Sequence, residues 1–304
     1  MSKPWIFVSP SSRGIGHALT AHLLRSTTLP ILATARTDLS GVKESLMAAS
    51  SSTGSQRARE DDASRLHVTY LDVTDEASVE AAAAKAAELF PPSAHHLHLA
   101  FALPGILRPE KQPRQVDYAA ALETFKVNTL GPLVLMKWFG ELLPRKGTDL
   151  SGVRGPVTDT GSCADGGGGG GGGGGGSTGG LDANGRFRVP AHATWLTASA
   201  RVGSTADNRL GGWYSYRASK AGVNSLTKGF DLHLAARSGA NAVAVAYHPG
   251  TVRTGLSRAF WGTVPEDKLF SPEFAARKML GVLAGRTVDD RGKCWDWKGE
   301  EVPP

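Results

Sequence analysis

Short apolar runs rich in β-branched and aromatic residues alternate along these 304 residues with stretches of helical periodicity, and that alternation restricts the fold more than any other feature. Residues 5–8, 31–35, 67–71, 97–103, 193–197, 242–247 and 293–297 read as strands, and 17–25, 75–89, 116–143, 216–237 and 272–283 carry apolar residues at helical spacing. Strands separated by helices, with no hairpin signal between them, predict a doubly wound parallel sheet with helices on both faces, an α/β single domain over residues 1–304. Between residues 147 and 190 the composition changes abruptly, and 166–176 are eleven consecutive glycines. Such a run loses too much backbone entropy to order, so 147–190 is expected to be a disordered low-complexity insertion in a loop of that domain.

In an open α/β sheet, ligands bind at the carboxyl ends of the strands. The first strand runs into Ser9-Pro10-Ser11-Ser12-Arg13-Gly14-Ile15-Gly16 and then a helix, so backbone N–H groups at the helix start can meet an anion. Ser9, Arg13, Gly14, Ile15 and Gly16 are therefore candidate dinucleotide contacts, and the sheet reads as Rossmann-type. The second strand ends in Arg36, twenty residues after Gly16, where such units read the ribose. An acid there would bind a 2′-hydroxyl, whereas Arg36, helped by Arg13, suits a 2′-phosphate. NADP is the expected cofactor, with Asp38 as the argument for NAD. Asp72, closing the third strand, is placed to meet the adenine.

Gly211-Gly212-Trp213-Tyr214-Ser215-Tyr216-Arg217-Ala218-Ser219-Lys220 puts Tyr216 and Lys220 four residues apart on one helix face. A free phenol titrates near about 10, and a neighbouring cation stabilises the phenolate, so Tyr216 is a candidate acid/base tuned by Lys220. The same pair on a solvated face would be merely structural. Asn128 falls inside the predicted 116–143 helix, where its side chain competes with backbone bonds and has either a solvated or a special role. His95, His96 and His98 alternate across a strand without acidic partners, so no metal site is expected. Cys163 and Cys294 make neither a disulfide framework nor a ligand spacing, which suits a reducing compartment. A net charge of +6 comes from scattered Lys and Arg, with no basic run interleaved with aromatics, so nucleic acid is not an expected partner. The first apolar run is too short for a signal peptide and no run approaches the roughly 18 apolar residues of a membrane span, so a cytoplasmic location without a membrane partner is expected.

Taken together, the glycine turn, the mid-chain Asn128, Tyr216-x-x-x-Lys220 and His248-Pro249-Gly250 resemble the short-chain dehydrogenase/reductase family over nearly the whole chain outside the glycine insertion. The segments from Ser199 to Ser204, from Asp207 to Tyr216 and from His248 to Ser257 are most similar to its C-factor-like and sniffer-like carbonyl reductases. The resemblance implies an NADP-dependent reduction of a ketone or aldehyde, or the reverse alcohol oxidation, of a small to medium apolar substrate. It implies Tyr216 as proton donor, Lys220 on the nicotinamide ribose, Ser199 on the substrate oxygen, Asn128 holding a relay water, and Pro249, Gly250, Val252 and Thr254 at the nicotinamide end. It also suggests a homo-oligomer through the Asn128 and Tyr216 helices. Leu103, Leu107, Trp213, Leu256, Phe260 and Trp261 would line the substrate site or else belong to the core. Three departures stand out. Pro10 replaces a turn glycine, Ala102-Leu103-Pro104-Gly105 lacks the family's asparagines, and Ala200 occupies the slot of the family's second serine, leaving Ser199 one residue off and Ser204 a weaker substitute. These departures motivate a competing reading, a nicotinamide-binding sensor without turnover. A sugar epimerase or dehydratase is disfavoured by the turn spacing and by the absence of a large C-terminal substrate domain.

Overall fold

A computed structural model describes residues 1–50, 56–153 and 187–304. The 166–176 glycine run, with most of the predicted insertion, lies outside the described residues. Strands β1 (Lys3–Ser9), β2 (Ile31–Ala35), β3 (Leu66–Tyr70), β4 (His95–Ala102), β5 (Ala193–Ala198) and β6 (Ala242–His248) alternate with helices α1 (Gly14–Ser26), α2 (Leu39–Ser50), α3 (Gln56–Arg65), α4 (Glu76–Leu89), α5 (Tyr118–Phe125), α6 (Gly131–Phe139) and α7 (Tyr214–Ser238). Short strands β7 (Thr251–Val252) and β8 (Leu269–Phe270), helix α8 (Pro272–Ala284), and strands β9 (Cys294–Asp296) and β10 (Glu301–Val302) complete the described chain. Eight strands form one sheet in the order β10-β9-β6-β5-β4-β1-β2-β3. The order reverses beside β1, the switch point at which doubly wound sheets bind ligands.

The central strands are apolar on both faces because both faces are covered. Along β1, Trp5 and Phe7 pack with α4 and α6 residues such as Val79 and Phe139, while Ile6 and Val8 pack with α1 and α8 residues such as Leu19 and Met279. Asp75 caps α4, accepting the Ala77 N–H at 3.1 Å.

Several sequence expectations change. Helices α2 and α3 carry weak apolar periodicity, and α2 starts from the left-handed Asp38, whose carboxylate accepts the Gly41 N–H and whose carbonyl accepts the Val42 N–H. The predicted 116–143 helix begins at Tyr118 and is interrupted by a π-turn at Lys126–Leu130. The sheet is parallel except at one edge, where β9 and β10 pair antiparallel. Their turn is closed by Asp296, which accepts the Lys298 and Glu300 N–H groups through its carboxylate, and by Gly299 at φ +85°. That Asp-x-x-Gly pattern was the hairpin signal. His96 and His98, two residues apart, share a face and hydrogen-bond each other at 3.0 Å, with His98 Nε2 at 2.9 Å from the Pro190 carbonyl. Burial pushes both imidazoles down, to about 4 and about 3, and they are neutral core groups. Among the described residues no group of three or more His, Cys, Asp or Glu could hold a metal ion. No described helix is long and apolar enough to cross a membrane.

Candidate active site

Helix α7 buries one stripe against the sheet, and Tyr216, 7% exposed, and Lys220 sit on it one turn apart. The Lys220 ammonium lies 5.9 Å from the Tyr216 ring centroid and donates to the Ala198 carbonyl at 2.7 Å. It reaches there because Gly203, in the turn after β5, lets the backbone of α7 approach: a Cβ at Gly203 would fall 2.7 Å from the Lys220 carbonyl carbon. Burial dominates both groups. It raises the Tyr216 phenol above its ordinary range and lowers the Lys220 ammonium to about 8. In the protein alone, burial outweighs the expected tuning of Tyr216 by Lys220.

Asn128 lies inside the π-turn, an interruption common at functional sites. Its side chain is fully buried and spans two elements, accepting the Ile106 N–H at 2.8 Å and donating to the Ile106 carbonyl at 2.9 Å and to Ser219 Oγ at 3.0 Å. The loop after β4 is thereby held against α7. A Cβ at Gly105 would lie 3.7 Å from Lys220 Nζ and 3.8 Å from Asn128 Oδ1, so this loop passes close to both polar groups. The Ser199 hydroxyl donates to Asn224 Oδ1 at 2.6 Å. Asn224 is one turn beyond Lys220 on the same stripe of α7. Ser204 is committed elsewhere, accepting the Asp207 N–H and donating to the Pro304 carbonyl.

One cavity of about 590 Å³ joins these groups. It runs from Ile15 in the first turn, past Ser199, Tyr216 and Lys220, along Pro249, Gly250, Val252 and Thr254, to an apolar end. Leu103, Leu107, Trp213, Leu256 and Phe260 line that end, whereas Trp261 does not and donates through Nε1 to Ser257. Ala200 presents a methyl to the same cavity.

At the other end, the turn closes tightly despite Pro10. Gly14 adopts φ +59°, and a Cβ at Gly16 would strike the Pro10 carbonyl oxygen at 1.9 Å, so only glycine fits. Helix α1 has no side-chain cap and no acid in its first turn, which leaves its leading N–H groups open to a pyrophosphate. Ser9 is buried and accepts from Thr34, bracing β1 to β2. Arg13 is exposed at the start of α1. Arg36, 61% exposed at the end of β2, lies 3.6 Å from Asp72. Asp72 also accepts from the Thr74 N–H and hydroxyl; partial burial opposes its ionisation, but these bonds and Arg36 together hold its carboxyl below the usual range. Asp38, the argument for NAD, is engaged in starting α2. The donor set suits a dinucleotide carrying an extra phosphate.

No family model matches the chain. Among curated proteins, it is 30% identical over 188 residues to C-signal of Myxococcus xanthus, covering 62% of this chain and 81% of that protein. The chain belongs to the short-chain dehydrogenase/reductase family. It is also 36% identical over 95 residues to the 1-hydroxy-2-glutathionyl-2-methyl-3-butene dehydrogenase of Rhodococcus sp. strain AD45, a match covering 31% of this chain and 39% of that enzyme. The fold is similar to that of the NADPH-bound carbonyl reductase from chicken fatty liver, with a TM-score of 0.68 and 24% identity. It is also similar to that of the carbonyl reductase Sniffer of D. melanogaster, with a TM-score of 0.68 and 19% identity. Each of these two comparisons covers the whole of both chains. Within this short-chain dehydrogenase/reductase, three groups at the site escaped sequence reasoning: Asn224, Arg201, which pairs with Asp207 and Asp296 beside the cavity, and Glu110. Only Asn224 left a signal, its spacing of eight from Tyr216.

Proposed function

We propose that the protein is an NADP-dependent oxidoreductase that reduces a ketone or aldehyde, or oxidises the corresponding alcohol, by hydride transfer with Tyr216 as proton donor. The observation that carries this reading is the single cavity that runs from the glycine turn, past Tyr216 and Lys220, to an apolar end. Arg36, Arg13, the Gly14–Gly16 turn and the open start of α1 would hold the dinucleotide, with Asp72 at the adenine and Pro249, Gly250, Val252 and Thr254 at the nicotinamide. When bound, that group supplies a hydride to the carbonyl carbon and is itself oxidised. Tyr216 gives its phenolic proton to the carbonyl oxygen, and burial, by keeping the phenol protonated, favours the donor role. Lys220, with its pKa lowered to about 8, carries a proton at neutral pH and stabilises the phenolate that remains. Asn128 fixes the loop that faces Lys220. Ser199 reaches the substrate oxygen only by turning its hydroxyl from Asn224. The apolar end suits a hydrophobic carbonyl compound.

The Ser199–Asn224 bond and the methyl of Ala200 favour one competing reading, a nicotinamide-binding sensor without turnover. Both are tested by NADPH binding and oxidation across a panel of ketones and aldehydes, in the wild-type chain and Tyr216→Phe, with NADH as comparison. Turnover lost in Tyr216→Phe while NADPH binding persists supports the reductase. Binding without Tyr216-dependent turnover supports the sensor, and absence of binding overturns both.

A further inference from the structure

Helix α7 begins without a side-chain cap and without an acidic residue in its first turn, although that turn carries Tyr216. The missing group comes from 105 residues earlier in the chain. Glu110, 6% exposed, stands at the end of the loop that leaves β4 and walls the cavity through Leu103, Gly105 and Leu107. Its carboxylate accepts the Ser215 N–H at 3.3 Å and the Ser215 hydroxyl, and its backbone carbonyl accepts the Trp213 N–H at 2.6 Å. A carboxylate at this place satisfies an otherwise orphan N–H and meets the positive end of the helix dipole.

The segment that Glu110 grips has an unusual backbone. Gly211, Gly212 and Trp213 adopt φ values of +63°, +66° and +51° in succession. Two glycines take this region without strain, but a tryptophan does so only where its surroundings hold it. The left-handed Trp213 aims its ring at the site, with its centroid 4.9 Å from that of Phe260 and edge-on to Tyr216 at 6.1 Å. Gly212 permits this close approach of Glu110 to the turn, since a Cβ there would lie 3.3 Å from the Glu110 carbonyl oxygen.

We infer that Glu110 is a positioning residue: it clamps the first turn of α7 to the substrate-facing loop, holds Trp213 left-handed, and so fixes Tyr216 and the Trp213 ring relative to the wall that meets the substrate. The catalytic meaning of this clamp rests on the proposed reductase reading, whereas the clamp itself concerns only the chain. A small misplacement of a proton donor lowers the rate of the chemical step by up to about a hundredfold with little effect on cofactor affinity.

The test compares wild type, Glu110→Ala, Glu110→Gln, Ser215→Ala and the Glu110→Ala/Ser215→Ala double variant. Amide hydrogen exchange is measured at residues 213–217 and 106–111, with NADPH affinity and with kcat and KM for the best carbonyl of the panel. The expected result is faster exchange at 213–217 in Glu110→Ala and in Ser215→Ala, with kcat lowered about ten- to a hundredfold and NADPH affinity nearly unchanged. The double variant should be no worse than Glu110→Ala, because that change already removes the hydroxyl contact that Ser215→Ala deletes. Glu110→Gln, which keeps an acceptor for Ser215, should recover most of kcat. Unchanged exchange at 213–217, additive losses, or faster exchange with unaltered kcat would each overturn the positioning role. If Glu110→Ala does not fold, Ser215→Ala carries the same comparison alone. If the wild type turns over no carbonyl, the reductase reading fails, and the exchange data still decide whether the clamp exists.

Discussion

Lys220 is buried with a single hydrogen bond among the described residues, to a backbone carbonyl, and its charge is held at a cost that depends on pH. Its pKa falls from about 10.5 unfolded to about 8 folded, so between those values the unfolded chain binds more protons. Stability therefore gains from this group as pH rises from about 8 toward 10, and the penalty is fully present below about 8. Tyr216 works in the opposite direction only above about 10, where the unfolded phenol begins to ionise. Denaturation midpoints measured from pH 7 to 10 should rise less steeply in Lys220→Met than in the wild type. At the other end of the cavity, Arg36 is mostly exposed and pairs with Asp72 at 3.6 Å, a surface contact too weak to explain its placement. Arg36→Ala should weaken NADPH binding by about ten- to a hundredfold, the size of a lost charge-assisted contact, and leave NADH binding within a few-fold. Equal losses for both nucleotides would assign Arg36 no part in reading the 2′-phosphate.

Helix α7 is positioned by what it touches more than by its own sequence. Gly203 admits its backbone, Asn128 in the π-turn bonds to Ser219, and the loop after β4 grips its start. Gly203→Ala forces a Cβ against main-chain atoms that cannot rotate away, and overpacking of this kind costs about 1–3 kcal/mol. It should lower Tm by several degrees, at about 2–4 °C per kcal/mol for a chain of this size. The matched control is Gly229→Ala, at a site in the same helix where a Cβ meets nothing within 4 Å. That change should raise Tm, since alanine is favoured over glycine in a helix by about 1 kcal/mol. A fall for Gly229→Ala as well would mean that the loss in Gly203→Ala does not report the approach of Gly203 to Lys220.

The described molecule buries both faces of its sheet, yet it leaves Tyr118, Leu122, Leu130 and Leu133 exposed along α5 to α6, with Tyr118 at 82% exposure, and Leu232 exposed on α7. Apolar side chains gathered on neighbouring helices mark an association surface more often than scattered ones do. The expected homo-oligomer should use this surface. Light scattering should give a multiple of the 31.9 kDa chain mass, returned to the single-chain value by Tyr118→Glu with Leu122→Glu. A wild type already at 31.9 kDa would remove the prediction.

What was legible in the sequence was whatever depends on near neighbours. The alternation of strand and helix, the Gly14–Gly16 turn and the Tyr216–Lys220 spacing are local patterns, and the chain's own periodicities determined them. The pairing of groups that meet across the fold left no such pattern. Glu110 meets Ser215 across 105 residues, Asn128 meets Ser219 across 91, and Ser199 turns to Asn224 because α7 packs on the end of β5. The tertiary structure alone decided that Asn128 is a buried strut in a π-turn, that the Ser199 hydroxyl is engaged by Asn224, and that burial outweighs the Tyr216–Lys220 interaction in setting both pKa values. Desolvation and cross-chain hydrogen bonding depend on which elements pack together, and local sequence does not encode that.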